Sequence, residues 1–332
     1  MSQSFVTPSS QAGGQSPAPR APQAPTTLSG DPHAIVSAVA SVLKGQTQAI
    51  ELAVIAMLAE GHLLIEDIPG VGKTTLARAL AAAIDVHVSR IQFTPDLLPS
   101  DIVGVSVYRP QTGVFDFAPG PVFASIVIAD EINRASPKTQ SALLESMQES
   151  QVTVDGTTYP LPRPFMVVAT QNPHEMEGTY PLPEAQRDRF MIRMSLGYPG
   201  YEDEVRMLDS QELSDPLAAI TPVMGADHIQ QMIAVVRGLH ASEAVKRYIV
   251  DLARATREMT GVKLGVSPRA GIQLLRAAKG AAALAGRGYV LPDDVQRMVP
   301  HVWGHRLAHG RASTDEAVRT ALTQLVDRVK VR

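Results

Sequence analysis

The sequence predicts an α/β core, a mostly parallel sheet covered by helices, followed by an all-helical domain. Two patterns lead to this. Over residues 31–200, short apolar runs of strand length alternate with segments of helical period, as in a sheet buried on both faces with helical crossovers. Beyond Gly200 the strand pattern stops and helical periodicity alone continues. A length of 332 residues leaves room for a large core and a smaller second module.

Residues 1–30 are mainly Ser, Gln, Pro, Ala and Gly, with Arg20 as the sole charge and Phe5 as the sole aromatic. So little bulky apolar surface does not offset the entropy of ordering, and a disordered tail is expected. The tail also lacks the basic end and apolar segment of a secretory signal. From Asp31 the core region 31–200 begins with helix-period apolar residues. Strands are expected at residues 62–65, 86–93, 125–129 and 165–170, and helices at 74–84 and 138–149. Residues 105–117 alternate around a Pro- and Gly-containing turn and residues 151–159 around Asp155-Gly156, which predicts two hairpins projecting from the sheet. The second domain, 201–332, carries helical patterns at 201–208, 228–240, 243–259, 267–285 and 293–303. Ser267-Pro268-Arg269 reads as an N-cap, a first-turn proline and a helical arginine, and Ser313-Thr314-Asp315-Glu316 as a capping box.

Composition narrows the chemistry. Thirty Lys plus Arg against 33 Asp plus Glu, with 45% hydrophobic residues, describe a soluble globular chain of net charge −3 rather than a basic nucleic-acid coat. The absence of cysteine excludes disulfides, thiolate metal sites and a cysteine nucleophile. No uncharged apolar stretch reaches bilayer-crossing length. The chain therefore reads as cytoplasmic, without membrane insertion.

The most specific motif is Asp67-Ile68-Pro69-Gly70-Val71-Gly72-Lys73-Thr74-Thr75, between an apolar strand and an amphipathic helix. Backbone amides of such a loop converge on phosphate oxygens and the helix N-terminus adds positive potential. Lys73 neutralises β- and γ-phosphates, and the Thr74 hydroxyl binds Mg²⁺. Asp67 stands where a first glycine is expected. About 55 residues later a second apolar strand ends in Asp130-Glu131. One carboxylate there is suited to hold Mg²⁺ and its neighbour to polarise attacking water, so Asp130 is assigned to metal and Glu131 to water.

The runs 66–74, 93–101, 129–135 and 169–173 closely resemble the MoxR group of the AAA+ ATPases, and the resemblance spans residues 31–310. It implies a P-loop AAA+ core with a helical lid, ATP and Mg²⁺ as cofactors, and a homo-oligomeric ring, a hexamer. Asn172 is similar to the sensor 1 residue that helps position water. Arg189 resembles the arginine finger reaching a neighbouring subunit's nucleotide, with Arg187 as a rival two positions away. Arg269 resembles sensor 2, tying lid closure to the γ-phosphate. Residues 43–46, with Gly45 and Gln46, resemble the segment lining the adenine site. The two hairpins resemble the helix-2 insert and the pre-sensor 1 hairpin, which face a ring pore or a client.

The expected function is ATP hydrolysis to ADP and phosphate that drives chaperone-like remodelling or activation of a partner protein. The family likeness also implies a partner with a von Willebrand factor A domain and, in some cases, metal insertion. Two alternatives use the same core. A nucleic-acid motor or transcription activator needs basic pore hairpins, whereas these tips carry Arg109, Asp116 and Asp155. A binding switch with negligible turnover has no need of Glu131. Finally, His301, His305 and His309 are spaced like ligands on one helical face, but Gly304 and Gly310 weaken that helix and Arg306 lies among them. Packing or surface exposure is expected there instead of metal.

Overall fold

The computed structural model describes residues 30–172, 179–213, 216–260, 262–309 and 315–331. The tail expected at residues 1–30 lies almost wholly outside the described residues, as do Pro173 and residues Ser313 and Thr314 of the expected capping box. The chain begins with helices α1 (Pro32–Ala40) and α2 (Thr47–Leu58). Then come β1 (Leu63–Glu66), α3 (Lys73–Ala83), β2 (Val88–Gln92), α4 (Pro99–Val103), β3 (Gly104–Arg109), β4 (Val114–Pro119) and β5 (Ile126–Asp130). A short 3-10 turn leads to α5 (Pro137–Glu149), β6 (Gln151–Val154), β7 (Thr157–Pro160), β8 (Met166–Gln171), α6 (Glu184–Arg187) and β9 (Ile192–Met194). The remainder is α7 (Tyr201–Leu213), α8 (Ala226–Gly238), α9 (Glu243–Arg257), β10 (Val262–Leu264), α10 (Pro268–Leu284), α11 (Pro292–Trp303), β11 (Ala308–His309) and α12 (Asp315–Arg328).

Five parallel strands form the sheet in the order β2-β5-β8-β1-β9. Alternation along the strands feeds two cores. Leu63, Ile65, Ile126, Ile128, Met166 and Val168 join a buried cluster that continues through α2 and α3 into the lid helices. Their neighbours Leu64, Val127, Ala129, Val167 and Ala169 join a second cluster with α5. Both faces are thus covered, as parallel strands require. Among the described residues no helix is long and apolar enough to cross a membrane.

Two differences from the expected elements have local causes. β9 supplies a fifth strand that pattern reading missed, because three residues are too few to display a period. The second domain is not purely helical: β10 and β11 pair antiparallel. α11 ends at Trp303, with Gly304 as its C-cap, so His309 belongs to β11 and shares no helix with His301.

The two hairpins stand apart from the main sheet as β3–β4 and β6–β7. They touch through Phe117 and Tyr159, stacked at 4.0 Å between ring centroids and 16° between planes. Farther along β3–β4, Tyr108 and Phe115 lie 5.2 Å apart and both are exposed, beside exposed Val105, Val107 and Val114.

Candidate functional site

Strands β1, β8 and β5 are parallel neighbours, so the turns at their carboxyl ends meet on one edge of the sheet. Ligands of open α/β sheets bind at that edge. After β1 the backbone passes through Asp67, Ile68, Pro69, Gly70 and Val71 to Gly72, the cap of α3. Gly70 (φ +85°) and Gly72 (φ +95°) hold left-handed backbone that side-chain-bearing residues rarely adopt. The loop thereby delivers the chain to the unpaired N–H groups of α3's first turn, a natural seat for anionic oxygens. Lys73, Thr74 and Thr75 occupy that turn. Lys73 Nζ donates to the Asp67 carbonyl at 2.6 Å, folding the ammonium back over the loop.

Asp67 itself turns inward. Its Oδ2 accepts from Ser195 Oγ (2.9 Å), Leu196 N (2.7 Å) and Gly197 N (2.7 Å), and its Oδ1 from Ile68 N (2.8 Å). Burial alone would raise this carboxyl, but the hydrogen bonds from Gly197, Ser195, Ile68 and Leu196 outweigh it and hold the group below the ordinary carboxylate range. The carboxylate placed where the loop's first glycine was expected is a staple to the chain beyond β9, and its oxygens are occupied by protein donors.

Asp130, at the end of β5, is buried. Thr74 Oγ1 donates to its Oδ2 at 3.4 Å and Thr170 Oγ1 to its Oδ1 at 3.2 Å. A hydroxyl and one carboxylate are hard oxygen donors of the kind Mg²⁺ takes from a protein while water and phosphate complete its shell. Thr74 and Asp130 therefore fit that ion. Among the described residues no cluster of three His, Asp or Glu forms an all-protein metal cage.

Glu131 follows in a left-handed conformation (φ 57°, ψ 48°), unusual for a residue with a side chain and costing about 1–3 kcal/mol. Its N–H donates to Thr170 Oγ1 at 3.0 Å, and its Oε2 accepts from Gln92 Nε2 (2.9 Å) and Arg134 Nε (3.1 Å). Asn172 is buried just past β8. The preceding residue, Gln171, accepts from Asp67 N at 3.2 Å, which places Asn172 beside the start of the glycine loop.

A slot of 160 Å³ lies against this loop, lined by Leu43, Gln46, Val71 and Thr75 and, from the second domain, by Met207 and Leu217. Gln46 caps the start of α2 and its Nε2 reaches the Gly197 carbonyl at 3.4 Å. Gly45 holds a left-handed backbone (φ +72°), and a Cβ there would lie 2.3 Å from Asp203 Oδ2 of α7, so that side chain would have to shift. Gln46 thus reaches the slot expected of an adenine site, with Gly45 packing the adjoining backbone onto α7.

The two expected arginines lie elsewhere. Arg189 and Arg269 line a separate cavity of 410 Å³ between core and lid, together with Arg163, Arg237 and Arg276. That cavity has no lining residue in common with the slot beside the glycine loop. Arg269 is therefore grouped with Arg189 at the cavity between core and lid. Arg187 is absent from the lining, and its Nε is buried without a partner among the described residues.

Several contributors escaped sequence reasoning. Gln92 and Thr170 engage Glu131 and Asp130 from adjacent strands, and Arg90 Nε contacts Asp130 Oδ2 at 2.6 Å. Their only signal was strand register, with Gln92 opposite Asp130. Of the three histidines, His301 and His305 are buried. Burial, reinforced by Arg319, pushes His301 down to about 4, and burial with Arg306 pushes His305 well below its usual value.

The chain matches the family model described as "ATPase family associated with various cellular activities (AAA)" over residues 62–192, and the AAA lid domain over residues 254–325. It is 50% identical to the protein YeaC of Bacillus subtilis over 266 residues, covering 80% of this chain and 83% of that one. Identity to chaperone MoxR1 of Mycobacterium tuberculosis is 42% over 278 residues, covering 81% and 73% respectively. The protein MoxR of Paracoccus denitrificans is 34% identical over 297 residues, covering 82% and 86%. A crystal structure from Cytophaga hutchinsonii, 38% identical, superposes with a TM-score of 0.83 over 90% of this chain and 94% of that one. Likeness on this scale, on a sheet that carries a glycine loop between β1 and α3, makes the chain a member of the MoxR family of AAA+ ATPases.

Proposed function

We propose that this protein is a Mg²⁺-dependent ATPase that splits ATP into ADP and phosphate to remodel or activate a partner protein in the cytoplasm. One observation carries the reading: the Thr74 hydroxyl and the Asp130 carboxylate meet at 3.4 Å beside the glycine loop. Mg²⁺ held there supplies charge neutralisation for the phosphates. Lys73 leaves the Asp67 carbonyl to bind the β- and γ-phosphate oxygens. Glu131 orients and polarises the attacking water, with Asn172 as a second hydrogen-bonding group, and Gln92 and Arg134 restrain the Glu131 carboxylate until then.

Each site takes residues from two chains. Arg189, with Arg269 in the same cavity, serves the neighbour's phosphates in a homo-oligomeric ring, a hexamer, and stabilises charge on the transferring phosphoryl group. Arg187 is set aside because it does not line that cavity. The exposed apolar face around Tyr108 and Phe115 favours a protein client. The nucleic-acid reading has less support, since Arg109 pairs with Asp116 at 3.2 Å. A von Willebrand factor A domain protein, with or without metal insertion into an enzyme, is the partner class that family likeness suggests.

The test separates binding from chemistry. Lys73→Ala should lose nucleotide affinity, whereas Glu131→Gln should keep ATP bound and stop hydrolysis. Mixed Arg189→Ala and Glu131→Gln subunits should regain turnover through composite sites. Equal nucleotide affinity of wild type and Lys73→Ala, or a mixture as inactive as its parts, would contradict the assignments. Pull-down with the Glu131→Gln protein then tests the partner class.

A further inference from the structure

Arg306, in the turn after α11, is an arginine whose side chain is only 3% exposed. Its Nε donates to Asp188 Oδ1 at 2.8 Å, and its Nη2 to the carbonyls of Asp188 (3.2 Å) and Phe190 (2.5 Å). The same Nη2 reaches Gln273 Oε1 on α10, and Nη1 reaches the Val302 carbonyl. One guanidinium therefore grips the residue before Arg189, the residue after it, and the helix that bears Arg269 one turn away. His305 adds a contact from its Nε2 to the Phe190 carbonyl at 3.0 Å; a carbonyl only accepts, so that nitrogen carries the proton. Trp303 ties the same turn to α10 through Nε1 and the Ala270 carbonyl, 3.1 Å apart.

A buried charge is a poor means of adding stability, because apolar side chains of similar volume do as well or better. What a planar fork with five donors supplies is fixed geometry. Burial pushes Arg306 down to about 10, against the pull of Asp188 and with a push from Arg269, so the group stays charged at neutral pH.

We infer that Arg306 is the positioning residue that locks Arg189 and Arg269 into one rigid pair, so that the lid and not the loop alone sets where the trans-acting cation stands. The inference deepens the two-chain site and rests on Arg189 acting toward the neighbour. Its consequence is that movement of the lid in one subunit displaces the cation presented to the next.

The experiment uses the full-length assembled protein and measures steady-state ATP turnover, binding of a fluorescent ATP analogue and oligomeric state. Arg306→Gln should lower kcat roughly 10- to 100-fold, the scale of an ångström-level misplacement of a catalytic group. KM and analogue affinity should stay within about twofold, because the mutated chain's own glycine loop is untouched. In an Arg189→Ala background the same substitution should change kcat by less than about twofold, since a residue acting only through Arg189 has nothing left to position. Arg306→Gln subunits mixed with Glu131→Gln subunits should regain turnover, because the latter offer an intact arginine pair. Arg306→Lys, which keeps the charge but loses the fork, should rescue little. If Arg306→Gln does not fold, Asp188→Ala removes the side-chain acceptor of Arg306 Nε and should show the same non-additivity with Arg189→Ala. A full, additive loss on top of Arg189→Ala, loss of analogue binding, or no loss of kcat overturns the inference while leaving Arg189 in place. If Arg189→Ala alone leaves turnover unchanged, the two-chain reading fails and the inference falls with it.

Discussion

Replacing Asp67 tests whether a side chain turned toward the chain beyond β9 shapes the glycine loop that it starts. The carboxylate accepts four hydrogen bonds, three of them from the backbone N–H groups of Ile68, Leu196 and Gly197. Asp67→Ala strands these donors. Leu196 is buried and takes the full desolvation cost of about 1–3 kcal/mol, while the half-buried Ile68 and Gly197 take less. The expected loss is about 3 kcal/mol. Asp67→Asn is isosteric, and its carbonyl can still face the three donors at the Oδ2 position, but its –NH₂ then opposes Ile68 N–H; about 2 kcal/mol is expected. Urea unfolding followed by the single tryptophan, Trp303, which is fully buried in the lid, reads one domain, and far-ultraviolet circular dichroism reads both. ATP affinity should fall in parallel, because the Asp67 carbonyl and Lys73 sit on the same stretch of loop. Since the folded carboxyl is depressed, its contribution is present above the ordinary carboxylate range and vanishes as pH falls through the folded value. The gap between wild type and Asp67→Ala should therefore close in strong acid. Alanine and wild-type midpoints within about 0.5 kcal/mol, or asparagine no better than alanine, would refute the staple.

Other perturbations follow from the same geometry. Glu131→Gly should abolish turnover yet leave stability unchanged or raise it by about 1 kcal/mol, because glycine relieves the left-handed backbone and the Glu131 carboxylate bonds to the exposed side chains of Gln92 and Arg134; a clear drop in urea midpoint would contradict the strain. Burial lowers His62 and His301 to about 4, so both are neutral when folded and take up protons on unfolding below their ordinary value. Lowering pH from 7.5 to 5 should cost about 2 kcal/mol for each, with His305 acting in the same direction. A urea midpoint that is flat over this range would argue against buried neutral imidazoles.

The features legible in the sequence were those whose determinants are adjacent in the chain. The glycine loop, the strand ending in Asp130-Glu131 and the Asp155-Gly156 hairpin each fit within a dozen residues, and β1, β5 and β8 were visible as short apolar runs because both their faces are buried. What escaped depends on contacts across the fold. The Asp188 and Phe190 acceptors of Arg306 are more than 100 residues distant, as are the Ser195, Leu196 and Gly197 donors of Asp67. Arg306 drew notice only as an argument against a histidine metal site. Glu131's left-handed backbone runs against its intrinsic preference, so tertiary context and not propensity imposes it. The placement of Arg269 beside Arg189 depends on how the lid docks, which no local pattern encodes.

The stack of Phe117 on Tyr159 carries a mechanical implication. Two ribbons that would swing independently on their own stems are spliced near the base, so a tilt imposed on one is imposed on the other. A load bearing on the outer aromatics Tyr108 and Phe115 is thus shared with β6–β7, the ribbon whose chain continues directly into the strand carrying Asn172 at its end.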